Sequence, residues 1–99
     1  MKLIINGLPG IIRKNENKSF SVIEQSTILT EIEDSITVGF KAVVEHRTYE
    51  HKDGVITCNG VKEQYGDCKK LPKDATVKDI AEAINECVES THKLLIGEA

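Results

Sequence analysis

The segment Glu45-His46-Arg47-Thr48-Tyr49-Glu50-His51 holds the densest run of hydrogen-bonding and titratable side chains in this 99-residue chain. Arg47, Tyr49 and His51 recur at two-residue steps, so an extended backbone projects them from one face as a bidentate cation, an aromatic plane and an imidazole. That trio suits an anionic, nucleotide-like group. Together with His46, these residues are the candidate ligand- or partner-binding set. The competing reading is a solvated arm in which Glu45 and Glu50 pair locally with Arg47 and Lys52, and exposed arms outnumber binding sites.

Other chemistry is poorly served. Cys58, Cys68 and Cys87 are odd in number and fall on an expected strand, an expected loop and a helix face, which is no disulfide framework. His46, His51, His92, Cys58 and Cys68 are acceptable zinc donors, but their spacing lacks the close ligand pairs of structural sites, so no metal site is assigned. Cys68 precedes Lys69 and Lys70, which favour thiolate, yet Asp67 opposes them and no histidine adjoins it. The opening Asn6-Gly7-Leu8-Pro9-Gly10 follows an apolar run but lacks the Gly-Lys-Ser/Thr ending of a phosphate-cradling loop. A Pro-Gly turn accounts for it. No nucleophile or acid–base pair is recognisable, and the reading is non-enzymatic, with no cofactor.

The bulk properties narrow the class. Ninety-nine residues suit a single domain with one modest core, and the ordinary balance of apolar and charged residues excludes disorder. The formal net charge is −3, and the basic residues are eleven lysines and two arginines scattered along the chain. Without a basic stripe or a run of stacking aromatics, nucleic acid is not an expected partner. No apolar run is long enough to span a bilayer and no signal-peptide h-region is visible, so no membrane association and a cytoplasmic location are expected. The excess of lysine over arginine also fits an AT-rich genome, where small genes of this kind often belong to mobile elements or phages.

The elements that position the candidate residues are strands followed by one helix. Met1–Ile5 reads as a short strand. Residues 11–14 and 19–24 read as a hairpin around Asn15-Glu16-Asn17-Lys18, and residues 26–33 as a further strand closed by an Asp34-Ser35 turn. Ile36, Val38, Phe40, Ala42 and Val44 then alternate along the longest strand, giving one core face that His46, Thr48 and Glu50 extend in polar form. Asp53-Gly54 is a strong hairpin turn. Asn59-Gly60 is either a second turn or a bulge in one long hairpin running to Tyr65, with the long hairpin preferred. Residues 66–74 read as a loop.

From Thr76 to Ile96 the apolar period changes to 3.6: Val77, Ile80, Ala81, Ile84, Cys87, Val88, Thr91, Leu94 and Leu95 form one stripe. Thr76 and Asp79 match a capping box, and Gly97 suits a left-handed helix end. The fold class is therefore α+β, an antiparallel sheet of about five or six strands (residues 1–71) with one C-terminal amphipathic helix (76–96) on one face.

A 21-residue helix is about 30 Å long against roughly 17–20 Å for an average strand, so its far end should overhang. Leu94, Leu95 and Ile96 at that end are the expected oligomer interface. The pattern favours a small homo-oligomeric protein that docks on or masks a protein partner, with sequestration of a small anionic ligand near residues 45–51 as the alternative.

Overall fold

A computed structural model describes residues 7–97. The strand expected over Met1–Ile5 lies outside the described residues. Four strands form one antiparallel meander, β1 (Ile11–Asn15), β2 (Lys18–Ile32), β3 (Ser35–Lys52) and β4 (Val55–Pro72), in the spatial order of the sequence. One helix, α1 (Val77–Ile96), follows. The α+β class and antiparallel sheet are as expected, but the strands are fewer and far longer.

One merger, with the Met1–Ile5 strand outside the described residues, accounts for the four described strands against the five or six expected. Residues 19–24 and 26–33 belong to one strand, β2, because the register shift between Val22 and Glu24 absorbs Ile23 as a bulge instead of ending the pairing. β4 runs unbroken from Val55 to Pro72, through Asn59-Gly60 and through most of the segment expected to be a loop. Its pairing with β3 keeps one register over all eighteen residues, so Asn59-Gly60 is neither a turn nor a bulge.

Both glycines in β4 answer to close approach. A Cβ on Gly60 would meet the Glu45 side chain at 3.2 Å, and one on Gly66 would meet the Phe40 carbonyl oxygen at 2.5 Å. The reversals lie elsewhere. Asp53 and Gly54 take φ of 52° and 75°, the paired positive values of a two-residue hairpin turn. Between β2 and β3 the turn is Glu33-Asp34, one residue earlier than expected, with Glu33 at φ 50°.

α1 matches its sequence signals closely. Thr76 accepts from the Asp79 N–H and the Asp79 carboxylate accepts from the Thr76 N–H, while Gly97 closes the helix at φ 78°. The hydrogen bonds from Thr76 hold the Asp79 carboxyl below its ordinary value. The buried stripe is Ala81, Ala83, Ile84, Cys87, Val88, Thr91 and Leu95, and it packs on Ile36, Val38, Phe40, Ala42 and Val44 of β3. Thr91 satisfies its buried hydroxyl on the Cys87 carbonyl at 2.8 Å, and burial pushes the Cys87 thiol up. Outside this stripe, Lys69 pairs with Glu86 to tie β4 to α1.

The relative lengths of helix and sheet are the reverse of the expectation. An 18-residue strand spans about 59 Å and the 20-residue helix about 30 Å, and the molecule measures 62 × 25 × 22 Å. It is the sheet that overhangs. Leu95, expected in an exposed helix end, is 2% exposed and belongs to the core, while Leu94 beside it is 51% exposed. The average strand length was the wrong yardstick for a meander whose strands have no breaks.

Candidate functional site

Register assigns every side chain of the sheet to a face. On β3 the even positions face α1, so the odd positions Glu45, Arg47, Tyr49 and His51 face the open side and His46 faces the helix side. The four candidate residues therefore form two patches separated by the thickness of the sheet. The trio stays together; His46 leaves it.

On the open side, β1 and β2 bring a residue that local pattern did not single out. Arg13 pairs with Ser19, and Ser19 pairs with Arg47, so one cross-strand row reads Arg13, Ser19, Arg47 and Gly60. The chain's two arginines, 34 positions apart, share one face. The Glu16-Asn17 turn alone would set Arg13 opposite Phe20; the register shift between Arg13 and Asn15, which no local signal announced, sets it opposite Ser19. Arg47 Nε donates to Glu45 Oε1 at 2.6 Å, and Glu45 lies over the bare backbone of Gly60. Glu45 first and Tyr49 second hold the Arg47 guanidinium more firmly protonated than usual. Tyr49 Oη is 3.3 Å from the hydroxyl of buried Ser19. A cavity of about 270 Å³ opens here, lined by Arg13, Ser19, Tyr49, His51 and Ile56 among others. Among the described residues Arg13 has no ion-pair partner.

On the helix side His46 is a packing hub. Its ring meets Phe20 edge-to-face with centroids 4.4 Å apart, and Nε2 is 3.0 Å from Tyr65 Oη and 3.1 Å from Glu63 Oε2. Tyr65 Oη also donates to Glu63 Oε2. Burial and this bond to Glu63 push the Tyr65 phenol up to about 12. Beside the hub, α1 ends above the sheet, and the step so formed encloses about 290 Å³ bounded by Lys14, Lys18, His46, Thr48, Tyr65 and Leu94. Lys14 lies close to Gly97, where a cation complements the negative end of the helix.

Past Thr48, where pairing with β2 ends, β3 and β4 continue as a two-stranded arm of four residue pairs, about 13 Å long. Val55, opposite Lys52 on the arm, and Val61, opposite His46 at its base, face the helix side of the sheet and are 59% and 60% exposed. Ile56, on the open side, is 63% exposed.

Cys58 and Cys68 are exposed and unpaired on the open side of β4, and Cys87 is unpaired in the core. Cys68 thus belongs to a strand and not to a loop. Among the described residues no three His, Cys, Asp or Glu side chains gather as a metal-holding group, and no helix is long and apolar enough to cross a membrane. Comparison with protein-family models, with curated proteins and with solved structures found no match to this chain.

Proposed function

We propose that the protein is a non-enzymatic binding protein that docks on or masks a protein partner, acting as a homo-oligomer whose interface is the step between the end of α1 and the projecting arm. The observation that carries this reading is the arm itself. A two-stranded hairpin in water is marginally stable, yet this one extends past its helix and offers Val55 to solvent, with Val61 exposed at its base, on the side where Leu94 also stands exposed. Burial of those side chains by another chain supplies the cover that α1 does not.

The outer edge of β4 supports the same reading. Among the described residues no strand pairs with that edge over its eighteen residues, leaving backbone N–H and C=O groups for a strand from another protein. Of the helix-end residues, Leu94 fits an interface, whereas Leu95 is already in the core and Ile96 is partly covered. A cytoplasmic setting accords with three unpaired cysteines, two of them exposed.

Site-specific photocrosslinking tests the proposal. A crosslinker placed at Val61 is expected to yield, in cells, a product of twice the chain mass or of the chain plus a partner. One placed at Lys70, on the open side at the far end of the sheet, should yield neither. Absence of any product from Val61 would refute the interface.

A further inference from the structure

We infer that the open side of the sheet carries a binding site for a small phosphate monoester of the mononucleotide kind, built on Arg13 with Ser19, Tyr49 and His51 and flanked by Arg47. This goes beyond the docking reading and uses the other face of the sheet, so either can stand without the other.

The row Arg13, Ser19, Arg47 places the two guanidinium-bearing residues on either side of one small hydroxyl residue. With neighbouring strands about 4.8 Å apart, their backbones are roughly 10 Å from each other, a gap that two arginine side chains span from both ends. Ser19 is buried with its hydroxyl against that of Tyr49, so an anion in the cavity sits on Arg13, with Arg47 a flanking charge outside the cavity lining. Glu45 occupies Nε of Arg47 and Tyr49 also engages the guanidinium, so Arg47 is already partnered and contributes as a flanking charge. Arg13 has no ion-pair partner among the described residues, although Glu16 lines the same cavity. One full positive charge therefore stands in a cavity of about 270 Å³ without an answering carboxylate in ion-pair contact.

The rest of the cavity suits the remainder of such a molecule. Tyr49 offers a partly exposed aromatic ring, its hydroxyl within reach of Ser19, and Ile56 adds apolar surface beside His51, its cross-strand partner. A planar base against Tyr49 and Ile56 with its phosphate on Arg13 uses the aromatic, apolar and cationic parts of the cavity. A bare inorganic anion leaves the ring and the isoleucine idle. Glu16, also on the cavity wall, disfavours a ligand carrying further negative charge at that end.

Calorimetric titration of the full chain with adenosine 5′-monophosphate, and separately with inorganic phosphate, tests this. The nucleotide is expected to bind, more tightly than phosphate, with affinity falling as salt rises. Arg13→Ala should weaken it about tenfold or more, while Lys70→Ala on the same face should not. Circular dichroism of Arg13→Ala checks that the fold persists, and Arg13 is exposed on the edge strand, where substitution is tolerated. The proposal is overturned if the nucleotide fails to bind, if it binds equally to Arg13→Ala, or if inorganic phosphate binds as tightly. The outcome of this titration is separate from that of the crosslinking at Val61.

Discussion

His46 and Arg47 are neighbours in the chain and lie on opposite faces of the sheet, one knitted into a cluster with Phe20, Tyr65 and Glu63, the other paired with Glu45 over Gly60. The division follows from the two-residue period of a strand. It gives the two residues different duties, and substitution separates them.

His46→Ala removes an edge-to-face ring contact and the shared partner of Tyr65 and Glu63. It should lower stability by about 1–2 kcal/mol. Arg47→Ala with Tyr49→Ala removes a surface pair and one hydrogen bond to Ser19, and should leave stability nearly unchanged. Urea denaturation of the two variants distinguishes these outcomes. Equal losses would mean that the open face is structural as well.

Leu95 reports on the length mismatch between helix and sheet. Were it at an overhanging end, Leu95→Glu would give a folded, soluble chain. Placed as it is in the core, the substitution buries an unpaired carboxylate and should abolish cooperative folding. The milder Leu95→Ala should fold with a loss of about 2–5 kcal/mol. Near-ultraviolet circular dichroism and thermal melting read both.

Gly66 is expected to resist the smallest possible enlargement. Its missing Cβ would sit 2.5 Å from the Phe40 carbonyl oxygen, an atom of the central strand with no freedom to retreat. Gly66→Ala should therefore cost about 1–3 kcal/mol, whereas Gly10→Ala, with nothing within 4 Å of the added carbon, should be close to neutral. Melting temperatures of the pair make the comparison.

Tyr65 should shape the alkaline limb of stability. Its phenol is pushed up to about 12 in the folded chain, by burial first and by the bond to Glu63 second, against an ordinary value near 10. A proton held more tightly in the folded state contributes stability that is complete below about pH 10 and is lost as pH rises through about 12. The stability difference between the native chain and Tyr65→Phe should shrink across that window. In a Tyr49→Phe background, tyrosinate absorbance should appear above pH 10; titration of the folded protein at the ordinary value would contradict the burial described here.

The helix was legible because each of its signals is local: a 3.6-residue stripe, Thr76 with Asp79 at one end and Gly97 at the other. β4 was legible only as far as Tyr65, and its continuation was missed because Gly60 and Gly66 have the composition of turns. Their reasons are contacts from β3, the Glu45 side chain over one and the Phe40 carbonyl against the other, and neither is visible within the segment itself. Reading residues 66–74 as a loop shortened the sheet, and the shortened sheet made the helix seem to overhang. The trio Arg47, Tyr49 and His51 followed from parity alone. Parity also assigned His46 to the core-side row, yet grouping by proximity in sequence kept it in the candidate site. Arg13 was not legible, because the register shift between Arg13 and Asn15, and not the hairpin turn, sets it opposite Ser19.

Native mass spectrometry of the purified chain beside a Val61→Lys, Leu94→Lys variant addresses the proposed interface most directly. The interface requires a discrete homo-oligomer for the native sequence and a monomer for the variant, with unchanged circular dichroism. A native chain that is monomeric at every concentration, or an oligomer that both lysines leave intact, would contradict it.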